Sequence, residues 1–213
     1  VFAADGTDHL EIVGSGPHLT RITTANTTGF LTVDFTGTNQ VTMRDLTVEV
    51  PAAQVNGSGG GIAMRGDVME NVTIETRNPG ATGILTQGGG AFREGNIISV
   101  SGGNFSLGAS TLSGESGLFV ITGSLIRNAS KAVYSEFPEV PIAIRDSFLF
   151  PTGYGLFSAV GSKMTVDNSV IEAGSNAAIR VVNGPAANPL ITVRHSTIVN
   201  HGDQSKVALE LEA

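Results

Sequence analysis

Apolar and polar positions alternate in short runs along the whole chain, and Gly, Asn, Asp or Pro cuts each run. "VTMRDLTVE" (41–49), "DVMENVTIE" (67–75), "FVITGSLIR" (119–127), "IAIRDSFLF" (142–150) and "MTVDNSVIE" (164–172) share one layout. Each has apolar residues two places before and three places after a central polar or glycine residue. A period of two predicts strand, because successive side chains of an extended chain point to opposite faces. No window carries apolar residues at i, i+3, i+4 and i+7 over three turns, so no helix is expected.

Aligned on the fifth residue, these runs and two more, "AFREGNIIS" (91–99) and "ITVRHSTIV" (191–199), make a repeat. The central column reads Asp45, Asn71, Gly95, Gly123, Asp146, Asn168 and His195, at steps of 22 to 28 residues. Three places later stand Val48, Ile74, Ile98, Ile126, Leu149, Ile171 and Ile198. Two places earlier stand Met43, Met69, Ile121, Ile144, Val166 and Val193, and the unit at 91–99 alone breaks this column, with Arg93. An earlier strand in each unit, usually behind Gly or Ala, gives a third inward row: Phe30, Ile62, Ile84, Val133, Leu156 and Ile179, with Phe105 a poorer fit.

The central column collects the residue types that best tolerate a left-handed backbone. One sharp corner per unit explains all seven together, His195 included, whereas a catalytic reading would explain one or two. The following column, Leu46, Val72, Asn96, Ser124, Ser147, Ser169 and Ser196, ends in five small polar residues. These are expected to form an internal hydrogen-bonded ladder that satisfies backbone groups at the bend. The preceding column, Arg44, Glu70, Glu94, Thr122, Arg145, Asp167 and Arg194, is a charged row in which Glu70 and Glu94 would be like-charged neighbours. The misplaced Arg93 predicts a bulge that moves Glu94 out of that row.

Short strands repeating at this period, without helix, stack as coils of a solenoid. A leucine-rich repeat would need an L-x-x-L-x-L-x-x-N signature, which is missing. From "LEIVGSGPHLTRIT" (10–23) to its end the chain resembles the right-handed parallel β-helix proteins of the pectate-lyase-like superfamily. That resemblance implies an all-β, single-stranded, right-handed parallel β-helix, here of about 8 coils, over one domain at 1–213. Neither end reads as a cap, which predicts a segment of a longer protein.

Charge narrows the partner. With 12 Lys+Arg against 19 Asp+Glu the net charge is −7, which argues against nucleic-acid phosphate or an anionic membrane surface. There is no 18-residue apolar run, so membrane insertion is not expected. Without cysteine there is no disulfide framework, thiolate nucleophile or Cys-based zinc site. No H-x-H or H-E-x-x-H motif occurs among the four histidines, so no zinc site or other cofactor is expected, and calcium is left open without a calcium-loop pattern to support it.

Three surfaces remain. Outward residues of the earlier strand include Arg65, Gln87, Tyr134, Glu136, Phe157 and Arg180, where aromatic faces stand beside groups able to bond sugar hydroxyls or carboxylates. In the resembled superfamily this sheet often forms the glycan groove, which makes polysaccharide the expected partner class and the exterior or surface of the cell the expected location. Ile97, Leu125, Phe148 and Val170 would form an exposed apolar stripe, an expected homo-oligomer or inter-domain interface. Asp34, Asp67 and Arg65 are the candidate catalytic residues, because the superfamily's lyases and hydrolases work with acidic residues and arginine on neighbouring coils. The expected function is a rigid binding or adhesion module. The alternatives are a polysaccharide lyase, epimerase or glycoside hydrolase, and a purely structural solenoid.

Overall fold

The computed structural model describes residues 9–23, 31–34, 40–51, 60–78, 80–99, 107–111, 116–137, 140–159, 162–182, 190–202 and 208–212. Every secondary-structure element among them is a strand, and every strand pairing is parallel. One coil shows the plan: Tyr154–Ser158, then Lys163–Asp167, then a corner at Asn168, then Val170–Ala173. Stacking such coils builds a sheet of eight strands from Leu31–Asp34 to Leu209–Glu212, here called the platform sheet. The other strands form a 14-stranded sheet bent at the corner, whose limbs join because Val41–Val50 and Val68–Thr76 run unbroken through it. The chain is therefore the parallel β-solenoid that the resemblance implies.

Three inward rows fill the interior. The platform sheet supplies Ile62, Ile84, Ala109, Val133, Leu156 and Ile179 in register. The limb before the corner supplies Met43, Met69, Phe92, Ile121, Ile144 and Val166, and the limb after it Val48, Ile74, Ile97, Ile126, Leu149 and Ile171. All are at most 2% exposed, and burial of each of the larger side chains contributes about 1.5–3 kcal/mol. The small residues preceding the platform row are there for space. A Cβ on Gly83 would sit 2.5 Å from Ile97 Cγ2 and 2.6 Å from the Gly108 carbonyl oxygen.

The corner reading holds at Asp45, Asn71, Gly123, Asp146, Asn168 and His195, all at φ between 45° and 61°. It fails by one residue in the unit at 91–99, where the left-handed residue is Glu94 (φ 51°) and not Gly95. The shift seats Phe92 in the inward row and turns Arg93 out beside Glu70. A left-handed glutamate costs about 1–2 kcal/mol, less than burying an unpaired arginine while exposing a phenylalanine. Gly95 is needed for another reason: a Cβ there would meet the Phe92 ring and, at 2.8 Å, the Val72 carbonyl oxygen. As the misplaced Arg93 predicts, Glu94 leaves the charged row and Glu70 has Arg93 as its neighbour. One expectation falls with this shift: Ile97, not Ile98, is the inward residue.

The serine ladder is present. Ser124, Ser147 and Ser169 amides donate to Ser147, Ser169 and Ser196 Oγ at 3.2, 3.2 and 3.1 Å. The same hydroxyls of Ser147, Ser169 and Ser196 donate to the carbonyls of Arg145, Asp167 and Arg194. Each hydroxyl thus closes its own bend and holds the coil before it. Asn96 falls outside the ladder, since the register shift gives its place to Gly95, whose amide donates to Ser124 Oγ. The platform row also shifts at two places: Val33 and Ala109, not Phe30 and Phe105, are in register with the inward Ile62 and Ile84. Phe30 and Phe105 lie outside the described residues.

Candidate saccharide face

The outward side of the platform sheet carries an aromatic cluster on three successive coils. Tyr134 and Phe157 are in register, and so are Phe157 and Arg180. Their ring centroids, Tyr134 to Phe157, are 5.5 Å apart, and Tyr154 meets Phe157 edge-on at 5.1 Å. Lys131 Nζ lies 4.7 Å from the Tyr134 centroid and 5.0 Å from that of Phe157. Arg180 Cζ lies 5.3 Å from Phe157 and 5.5 Å from Tyr154, and its guanidinium donates to Tyr154 Oη at 2.6 Å. Phe157 is therefore flanked by two cations and two tyrosines. Cation–π contacts of this kind contribute about 0.5–2 kcal/mol each and fix the long side chains in place.

Strand geometry explains the cluster. Each strand turns out two residues three places apart, Lys131 and Tyr134 on one coil, Tyr154 and Phe157 on the next. Between them lie two buried residues, Ala132 with Val133 and Gly155 with Leu156. Strict alternation from the inward Val133 and Leu156 finds Tyr134 and Phe157 and misses Lys131 and Tyr154. The signal that could have found them is the column of small residues ahead of each inward residue, which breaks the period of two.

The electrostatics follow from partial burial. Desolvation lowers the Lys131 pKa, the Arg180 charge lowers it further, and Glu136 opposes both. Desolvation raises the Tyr134 pKa, with Glu136 adding to the effect. Glu136 thus belongs to the cluster, and Glu210 lies 3.7 Å from Arg180 on the next coil.

Of the expected ligand residues, Tyr134, Glu136, Phe157 and Arg180 come together. Gln87 and Arg65 occupy the same side but lie two and three coils before Glu136, about 10 and 14 Å along the axis.

The catalytic candidates do not converge on an open site. Asp67 is 1% exposed, and its two oxygens accept the amides of Val41 at 2.7 Å and Arg65 at 2.8 Å. Burial raises its pKa, and the two amide bonds pull the other way. Its role is to close the loop between two strands and tie it to the coil before. Asp34 is in register with Ala63, four coils before Tyr134 of the aromatic cluster.

The expected interface stripe is shorter than the sequence implies. Ile97 is 1% exposed and belongs to the core, as the register shift requires. Leu125 and Val170 are half-buried, and Phe148 is 50% exposed. Among the described residues, no three His, Cys, Asp or Glu groups converge in the manner of a metal site.

No family model and no curated protein matches the chain. Among solved structures, a variant of the catalytic domain of GH87 alpha-1,3-glucanase in complex with tetrasaccharides is similar over 96% of this chain, at 12% identity and a TM-score of 0.29. The chain spans 60% of that domain's length, and a likeness at this score identifies no ligand for it.

Proposed function

We infer that this chain is a rigid binding module that holds polysaccharide outside the cell, on the platform-sheet face centred on Phe157. The observation that carries this reading is the Phe157 ring, flanked by Lys131 and Arg180 and by Tyr134 and Tyr154. Aromatic faces accept the CH face of a sugar ring, and the surrounding ammonium, guanidinium, phenol and carboxylate groups bond its hydroxyls. These side chains stand on paired strands, so the surface is organised before the ligand arrives, and little ordering cost remains to be met on binding.

A glycan array combined with an assay for new reducing or unsaturated ends tests this reading. Saturable binding to a polysaccharide, with no new chain ends, is the expected result. Turnover that is lost in Asp34→Asn and kept in Phe157→Ala would replace the binding module with an enzyme. Blank arrays and blank turnover assays would leave a structural solenoid.

A further inference from the structure

Phe148 protrudes from the outer face of the limb after the corner, on a different side of the solenoid from the platform sheet. Leu125 and Val170 are its register neighbours, and its ring stacks on Phe150 at 6.1 Å. A long apolar stripe here would point to a protein partner. With Ile97 in the core and Leu125 and Val170 half-buried, one half-exposed ring is left. Stable protein interfaces bury roughly 800 Å² on each side, far more than this patch offers.

The surroundings of the ring are polar. A depression of about 350 Å³ is lined by Phe148 and Val170 and by Asp146, Asn168, His195 and Thr197. The three corner residues stack coil upon coil, about 4.8 Å apart. Asn168 Nδ2 donates to Asp146 Oδ1 at 2.6 Å, and His195 Nδ1 lies 2.9 Å from Asp167 Oδ1. An ionised carboxylate only accepts, so Nδ1 carries a proton toward Asp167, and in the singly protonated ring Nε2 is the acceptor. Among the described residues, nothing donates to Asp146 Oδ2, Asn168 Oδ1 or His195 Nε2. The depression therefore offers one apolar ring face and a fixed row of acceptors.

That combination selects its ligand by chemistry. An anion would meet the Asp146 charge and a row of lone pairs, and a purely apolar ligand would cover three polar atoms without bonding them. A molecule with a CH face and several hydroxyl donors satisfies both halves. We propose that the Phe148 depression is a second saccharide site, taking a neutral hexopyranose residue: the ring stacks on Phe148, and its hydroxyls donate to Asp146, Asn168 and His195. The site shares no residue with the platform cluster, so either can fail without the other.

Titration of the protein with cellotetraose, maltotetraose and tetragalacturonate, followed by nuclear magnetic resonance, tests the site. At least one neutral tetrasaccharide is expected to shift the Phe148 and His195 ring signals saturably. Phe148→Ala should weaken the His195 response by roughly tenfold or more while leaving the shifts at Tyr134 and Phe157 as they are. Phe148→Leu keeps the apolar volume without the ring and should also weaken it. The proposal is overturned if neither neutral sugar shifts these signals, if only tetragalacturonate does, or if both variants respond like the parent. It is equally overturned if the signals move with protein concentration alone, which would make this face a contact between copies of the chain.

Discussion

Asn168 donates its side-chain amide to Asp146 Oδ1 at 2.6 Å, across 22 residues of sequence and one coil of structure. Both residues have left-handed backbones, at φ 45° and 49°. The corner thus uses Asp and Asn twice, for a backbone conformation that few L-residues tolerate and for a bond that runs along the solenoid axis. Asn71 and Asp45 repeat the arrangement at 2.7 Å.

Asn168→Gly should keep the corner and lose only the ladder bond. Asn168→Val, which puts a β-branched side chain at positive φ, should be less stable than the Gly variant by about 1–2 kcal/mol in urea denaturation. Equal stability of the two variants would remove backbone strain as the reason for this column.

Ser147→Ala should cost about 1–3 kcal/mol, because the buried Ser124 amide then has no acceptor. Hydrogen exchange locates the effect: the Ser124 amide should exchange faster in the variant, while amides of the first coils keep their rates.

Asp67 makes stability depend on pH in an unusual direction for a carboxylate. Burial raises its pKa in the fold, so the folded chain keeps this proton to higher pH than the unfolded chain does. Between the two values unfolding releases a proton, and stability falls as pH rises. Asp67→Asn lacks that proton, so its stability relative to the parent should climb from about pH 4 upward through the raised carboxylate range. A difference that is flat, or that falls, would contradict the account. Asp67→Ala should lose about 2–4 kcal/mol at about pH 4, where the parent keeps its full stability, since two buried amides go unbonded.

Gly83→Ala should destabilise by about 1–3 kcal/mol, because its Cβ has no room beside Ile97 Cγ2 and the Gly108 carbonyl. Ile97→Leu removes the Cγ2 branch, so the double variant should recover part of the loss. Strict additivity of the two changes would contradict the placement of Ile97 in the core.

The repeat, the corner and the serine ladder were legible in the sequence because one physical demand acts at the same place in every coil. The exception is a single unit whose sequence admits two solutions. In "FREGN" (92–96) glycine looks like the corner residue, yet the ring of Phe92 needs that glycine for space, and Glu94 takes the corner. That one-residue slip carried Ile97 from the predicted surface stripe into the core. Asp67 reads as a candidate catalytic carboxylate because one of its amide donors, Val41, lies 26 residues away and only stacking brings the two together. Tyr134, Phe157 and Arg180 were found by register alone, whereas Lys131 and Tyr154 fall at a spacing of three that alternation does not anticipate.

The most direct test of the proposed function is the affinity of the parent and of Phe157→Ala for a polysaccharide that the parent binds, measured by calorimetry at equal fold content. Phe157 touches both cations and both tyrosines, so its loss should weaken binding by roughly tenfold or more. Binding by Phe157→Ala at the parent's strength would show that the platform face is not where the saccharide is held.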